Sequence, residues 1–375
     1  MKVGITLFAQ NYTDWDRYQS GAFDRQPMIH DAQAYEEELA IGDLCEPLGY
    51  DSLWTVEHHF TPYTMVPDPL QMLTYFAGRT QKIDFGTMVV VLPWHDPVQT
   101  AEKITMLDNM LRGRKLTLGF GRGAGRVELD GLRIPMGESR ERFLEALAVV
   151  RAALTNERFS FEGKHYQVPE TSIRPHPRSN DLTDRMYCAW GTPSSMPMAA
   201  GSGLGALFIP QKSWAEYAED MVGFNEVRRE NGWAPMKPIV ATWVYCHENE
   251  DEAWQGALDY MGNYSDSARR HYEFDDPEHF RVTKGYEHYA QMSEAAMSID
   301  RDVARKGFAM SQVWGTPEMC IAKLKEIRDL VDAQEFVLVF KYGAMPQERA
   351  EASMRLFADK CLAQVQALGE PVAVG

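Results

Sequence analysis

IDFGTMVVVLPWHDPVQTAEKITMLDNMLRGRKLTLGF, residues 83–120, carries the fold in one stretch. Ile83 to Leu92 reads as a buried strand, rich in β-branched residues. Val98, Ala101, Ile104, Leu107 and Leu111 then recur at helical spacing and form one apolar stripe. KLTLGF, 115–120, is the next strand. Strand, helix, strand in that order is the unit of a parallel sheet with crossover helices.

The unit repeats on both sides. Upstream, VGITLF (3–8) is a first strand, and Leu39, Ile41, Leu44 and Leu48 lie on a helical pattern that stops at Gly49. DSLWTVEHHF (51–60) is a second strand, with a helix over 68–78 behind it. Between the first strand and its helix, Gln10 to His30 is polar and aromatic without a period, a long loop of the kind that carries function. Downstream come a helix from Ser139 to Leu154 and the irregular stretch 159–184, whose prolines and polar residues read as a surface excursion. Strands follow at MYCAW (186–190), ALFI (206–209), PIVATWVYC (238–246) and EFVLVF (335–340), with helices near 213–230, 250–262, 317–331 and 346–367. About eight strands alternating with helices predict an α/β chain folded as a TIM-like (β/α)8 barrel with insertions. A doubly wound open sheet is the alternative, but no G-x-G-x-x-G follows the first strand and no break in composition divides the chain. The expected organisation is one domain over 1–375, interrupted at 263–311 by an insertion rich in Tyr, His, Asp and Glu that is a candidate mobile lid.

Composition bounds the function. At 375 residues, with 45% apolar and 25% charged residues, the chain can bury a large core, and neither collagen, coiled coil nor wholesale disorder fits. Lys and Arg number 38 against 54 Asp and Glu, a net charge of −16 that repels phosphate backbones and anionic lipid. Neither nucleic acid nor a membrane is an expected partner. The cysteines at 45, 188, 246, 320 and 361 are odd in number and lack C-x-x-C spacing, so a reducing cytoplasm is expected. MKVGITLFAQ has no signal-peptide pattern, and no apolar run approaches the ~18 residues of a spanning helix.

In barrels the chemistry gathers where strands end. Glu57-His58-His59-Phe60 closes the second strand, and alternation sends His58 and His59 opposite ways, so one of them reaches the mouth. That histidine is either a general acid or base, or a polariser of an oxygen, or a buried imidazole bonded to a carbonyl. Adjacent histidines without H-E-x-x-H spacing do not indicate a metal site. LGFGRGAGR (118–126) lets backbone approach a ligand and offers Arg122 as a fork for phosphate or carboxylate; a Gly-rich turn with a solvated arginine is the bland alternative. Arg140, near the next helix start, is either a second phosphate ligand or a surface charge. WGTP occurs at 190–193 and 314–317, each copy before a helix, which is ordinary capping by Thr with Pro in the first turn. At the first copy Trp190, Gly191, Thr192 and Ser194 also suit an anion at a helix start. Phe8, Tyr12, Trp54, Trp94, Trp190, Trp243, Trp314 and Tyr342 are core or pocket lining.

VEHHF (56–60), FGTMVVVLPWHDPV (85–98), LDNMLRGR, GFGRG (119–123) and GTPEMCIAKL (315–324), in that order, resemble the bacterial luciferase family of flavin-dependent monooxygenases, over nearly the whole chain. The resemblance implies a TIM-like barrel that takes reduced FMN from a separate NAD(P)H-dependent flavin reductase. The flavin reacts with O2 to give a hydroperoxide that oxygenates a small, largely apolar organic substrate. It implies an active-site role for His58, a phosphate site built by Arg122, Arg140, Trp190, Gly191, Thr192 and Ser194, a non-prolyl cis peptide at Met88-Val89 under the flavin ring, and a homodimer. Gly121 stands where light-emitting members carry a reactive cysteine, so light emission is not implied. A deazaflavin-dependent hydride-transfer enzyme and a non-enzymatic flavin-binding protein are the rival readings.

Overall fold

Each apolar run becomes a strand in the computed structural model, which describes residues 1–190 and 193–369. The strands are β1 (Lys2–Leu7), β2 (Ser52–Thr55), β3 (Asp84–Val91), β4 (Leu116–Gly121), β5 (Phe159–Glu162), β6 (Gln167–Thr171), β7 (Met186–Ala189), β8 (Gly205–Phe208), β9 (Ile239–Cys246), β10 (Val313–Gly315) and β11 (Glu335–Val339). β1, β2, β3, β4, β7, β8, β9 and β11 pair in that order, all parallel, and β11 returns to β1. The ring is closed, with helices around it. The expected (β/α)8 barrel is thus the observed fold, and β10 extends the far end of β9 through Val313 opposite Val244.

Side-chain alternation divides the core into two layers. Trp54, Met88, Tyr187, Leu207, Ile239, Ala241 and Val337 fill the ring, whereas Val3, Ile5, Leu7, Leu53, Phe85 and Leu118 join the larger cluster that the helices cover. Both faces of the strands are buried, which is why these segments read as continuous apolar runs rather than alternating ones. Trp54 fits because its neighbour is Gly86: a Cβ there would lie 2.3 Å from the indole. Below the indole, Trp54 Nε1 donates to Ser52 Oγ at 2.9 Å, and Ser52 Oγ donates to Glu335 Oε1 at 2.5 Å.

Four stretches differ from the sequence reading. β2 stops at Thr55, because the backbone beyond it finds other partners: His58 N donates to Val66 O at 3.1 Å and His59 N to Glu128 Oε1 at 2.8 Å. Gln10 to His30 holds a 3-10 turn, Tyr12–Asp14, and a helix, Trp15–Ser20, anchored by buried Trp15, whose Nε1 donates to Ser267 Oγ at 2.6 Å. The excursion at 159–184 contains the antiparallel β5–β6 hairpin. At the second WGTP copy Thr316 is the cap by position and Pro317 opens the helix, but the hydroxyl bonds Glu318 Oε2 at 2.9 Å instead of a backbone N–H. Gly191 and Thr192 of the first copy lie outside the described residues.

Between β9 and β10 the chain runs through helices Glu250–Gly256, Gly262–His271, Glu278–Arg281, Glu287–Met297 and Arg301–Ser311. Phe280, Tyr286, Tyr289 and Ala290 form a small core of their own against Ala124, Met136 and Phe274, which ties this segment to the loop after β4. Among the described residues no helix is long and apolar enough to cross a membrane. The five cysteines are buried and unpaired as disulfides.

One buried acid in this scaffold sets a stability prediction. Burial raises the Glu38 carboxyl to about 7, although the backbone of Phe8 donates to it at 2.6 Å. The native state therefore holds a proton that the unfolded chain releases above about pH 4.5, so the group's contribution is full below that value and is lost as pH rises through about 7. Glu38→Gln should flatten this part of the pH dependence and stabilise the protein at pH 8 relative to the parent, in urea unfolding. Equal losses on going from pH 5 to pH 8 in both proteins would contradict it.

Candidate active site

Parallel strands deliver all their C-terminal ends to one face, and there a cleft of about 900 Å³ opens. Its floor is apolar, made by Met88, Val89, Gly121 and Leu207. The Met88–Val89 peptide is cis, and the pairing of β3 with β4 shifts register between Thr87 and Val90. Val89 lies flush on Gly121, where an added Cβ would stand 2.4 Å from Val89 Cγ2. This close approach leaves no space for a cysteine at 121 in the present arrangement.

One end of the cleft is cationic. Arg122 follows β4 and lies 4.3 Å over the ring of Tyr286, with Nη2 donating to Gly285 O at 3.1 Å. Its Nη1 is buried and has no acceptor among the described residues. A buried guanidinium N–H without an acceptor costs free energy until an acceptor arrives. Arg140, in the first turn of helix Ser139–Thr155, donates from Nη1 and Nη2 to Ser194 O and Oγ, at 3.2 and 2.8 Å. Burial and then the charge of Arg122 lower the Arg140 pKa, a mark of two cations close together. Tyr286 from the 263–311 segment donates to Gly123 O at 2.7 Å and lies 2.9 Å from Ser139 Oγ, fastening the segment beside both arginines. Trp190 lines the same cleft, stacked on Phe224 at 5.0 Å, with its buried Nε1 unpartnered among the described residues.

The other end is organised by two buried carboxylates. Glu57 accepts from Val91 N at 2.7 Å and pairs with His95 Nε2 at 2.6 Å and His59 Nε2 at 3.2 Å. Glu128, on helix Arg126–Gly131, accepts from His59 N and lies 2.9 Å from His58 Nδ1, while its second oxygen is 3.3 Å from His271 Nε2. His58 and His59 do part, as alternation requires, but each goes to its own glutamate. Burial alone would raise the Glu128 carboxyl; the imidazoles of His58 and His271 outweigh that and hold it well below the usual carboxylate range. Burial lowers His271 despite Glu128. Burial would also lower His95, but its hydrogen bond and charge contact with Glu57 raise it.

The fold therefore brings His58, Met88, Val89, Arg122 and Trp190 to one cleft, with Arg140 and Ser194 bonded to each other beside it. Glu57, Glu128 and His271 escaped the sequence reading. Glu57 and Glu128 carried a weak signal, an acid beside the histidine pair and another after the glycine-rich loop. His271 gave none, since only the tertiary path of the insertion brings it near His58. A second hollow, of about 860 Å³ between residues 10–13 and 341–348, presents Glu37, Glu38 and Glu348 against Lys341, a charge balance unsuited to phosphate.

Glu57→Gln keeps an oxygen for Val91 N but cannot accept from both imidazoles, and should cost about 1–3 kcal/mol in urea unfolding. Because the His95 pKa is raised, its pairing with Glu57 contributes below the unfolded value and fades as pH rises, so the loss should be larger near pH 6 than near pH 8. An unchanged unfolding midpoint would remove Glu57 as an anchor.

The model of the family described as luciferase-like monooxygenase matches residues 1–334. The alkanal monooxygenase alpha chain of the Kryptophanaron alfredi symbiont is 25% identical over 345 residues, covering 88% of this chain and 93% of that one. Among solved structures, the monooxygenase RslO1 from Streptomyces bottropensis is 27% identical with a TM-score of 0.69, covering 97% of this chain and 99% of that one. The oxygenating constituent of 3,6-diketocamphane monooxygenase from Pseudomonas putida, solved with FMN, is similar in fold, with a TM-score of 0.68 at 17% identity and coverage of 97% and 98%. With the family model spanning most of the chain and a closed barrel bearing the cleft, this protein belongs to the luciferase-like monooxygenase family.

Proposed function

We propose that this protein is the oxygenating partner of a two-component system, taking FMNH2 from a separate NAD(P)H-dependent reductase and using O2 to oxygenate a small, largely apolar organic compound. The observation that carries the reading is the buried, unpartnered Nη1 of Arg122 at one end of an apolar-floored cleft, with a second guanidinium close by. A phosphate monoester supplies the missing acceptors, and Arg122 and Arg140 would hold it, with Ser194 already fixed by Arg140. The floor of Met88, Val89 and Gly121 offers a flat apolar surface for a ring system, and Trp190 Nε1 is a further donor without a partner. Bound there in its reduced form, FMN supplies the electrons and the reaction with O2, which no side chain of this cleft can. The chain's own part is to keep water out and to set a proton at His58, whose Nδ1 is committed to Glu128 and whose Nε2 is left for the cleft. Tyr272 and Tyr289 of the 263–311 segment line the cleft, which supports reading that segment as its lid. Tyr75, Met106 and Met110, exposed on helices Pro69–Ala77 and Pro97–Met110, support a homodimer through that face.

Arg122→Met should weaken FMNH2 binding by ~10- to 100-fold in anaerobic titrations, the worth of a charge-assisted phosphate contact. His58→Asn should slow product formation ~100-fold or more with little change in flavin affinity. Both are measured with chemically reduced FMN over a panel of ketones, aldehydes and phenols. Unaltered affinity in the first variant, or unaltered yield in the second, would reject the corresponding role. Turnover with a reduced deazaflavin and none with FMNH2 would replace the reading by hydride transfer. Sedimentation equilibrium should give a two-chain mass, and a one-chain mass at micromolar concentration would reject the dimer.

A further inference from the structure

The unusual feature of the cleft is that His58 does not meet its carboxylate alone. Glu128 is 1% exposed and lies between two imidazoles, His58 at 2.9 Å and His271 at 3.3 Å, with ring centroids 4.9 Å apart. His271 ends helix Gly262–His271, at the start of the segment that covers the mouth, and its other nitrogen, Nδ1, is 2.7 Å from Thr61 Oγ1. The hydrogen-bond inventory fixes the protons. Glu128 Oε1 accepts from His59 N, so as a carboxylate it also takes a proton-bearing Nδ1 from His58, leaving Nε2 with a lone pair. The Thr61 hydroxyl can donate to His271 Nδ1, which puts the His271 proton on Nε2, facing Glu128 Oε2. That last contact lacks hydrogen-bond alignment: Glu128 Oε2 and His271 Nε2 are both buried, each without a bonded partner.

We propose that Glu128 is the positioning residue for His58 and that His271, carried by the insertion, shares the same carboxylate, so that the covering segment tunes the basicity of His58 Nε2. This rests on the reading of His58 as the proton-handling group of the cleft. In the step it serves, an O–H bond of a bound ligand breaks, an Nε2–H bond forms, and the resulting imidazolium keeps its Nδ1–H on Glu128. A carboxylate given wholly to His58 makes Nε2 more basic; one shared with His271 makes it less so. The other titratable or charged groups around the pair are Tyr63, stacked on His271 at 4.7 Å and edge-on to His58 at 4.8 Å, Tyr272 at 6.0 Å from His58, Tyr264 bonded to Tyr63 at 2.6 Å, and Glu273, held by Arg126 at 2.9 Å. None of these bonds either ring nitrogen of His58, so the carboxylate is the group that sets its tautomer.

The test combines two opposed variants with a spectroscopic readout on the cofactor-free protein. Nitrogen-detected NMR of labelled histidine should find His58 protonated on Nδ1 and bare on Nε2. In Glu128→Leu, which leaves His58 Nδ1 without its acceptor, the Nδ1-protonated form should lose its dominance, the acid limb of kcat/KM should move down by about one pH unit, and kcat should fall ~100-fold, with KM for FMNH2 moving far less. Glu128→Asp should restore the tautomer and most of the rate. His271→Asn should move the acid limb up, because His58 then has the carboxylate to itself. Limbs that do not move, or that move the same way in both variants, would overturn the proposal, as would a stoichiometric metal ion held by the purified protein. If His58→Asn leaves oxygenation intact, the role of His58 as a base fails; the tautomer measurement still decides whether Glu128 positions it.

Discussion

A carboxylate 1% exposed must be matched by hydrogen bonds and positive partners, or the chain around it does not close, and in this protein that carboxylate is Glu128. It is the point where three remote pieces of sequence meet. The segment after β2 brings His58 and the backbone of His59, the helix after β4 brings the acid itself, and the insertion between β9 and β10 brings His271. Barrel closure supplies the rigidity that lets these pieces meet, since each is attached at the C-terminal end of a strand whose neighbours on both sides are paired. Glu57 repeats the principle one strand pair away, tying the end of β3 at Val91 to His59 and His95. Two buried acids therefore sort the adjacent histidines, one toward the cleft and one toward the scaffold.

The cleft divides its chemistry along its length. At one end guanidinium groups crowd each other and a buried donor lacks an acceptor; at the other an imidazole is locked by a carboxylate. Between them the surface is apolar and small residues let backbone come close, with Val89 lying on Gly121. That separation suits a long ligand with an anionic tail and a flat head, the tail neutralising the arginines and the head resting where proton transfer is available. The net charge of −16 opposes an anion at long range, so attraction at this end is local to the two arginines. Contacts from Gly285 and Tyr286 to Arg122 and Gly123 join the 263–311 segment to the cationic end, while His271 joins it to the histidine end.

Most of the fold was legible because parallel strands buried on both faces write themselves as apolar runs such as VGITLF and EFVLVF, and crossover helices as stripes such as Val98 to Leu111. Where the reading failed, backbone partners were decided by tertiary structure. DSLWTVEHHF looks like a strand of ten residues, yet it leaves the sheet after Thr55 once Val66 and Glu128 take its N–H groups. The hairpin β5–β6 was hidden because its strands are short and largely exposed, with Pro169 inside the second. In the cleft, residues lying at strand ends could be found from position alone. His271 could not, since its place depends on how a segment with its own small aromatic core packs against the cleft.

On the function proposed for it, the cationic end of this cleft grips a phosphate tail and the apolar floor carries a flavin ring. A crystal structure of the protein soaked with FMN tests it most directly. The phosphate is expected within hydrogen-bond reach of Arg122 and Arg140, the ring over Met88–Val89, and His58 Nε2 facing it. FMN bound elsewhere, or in the cleft with its phosphate turned away from both arginines, would contradict it.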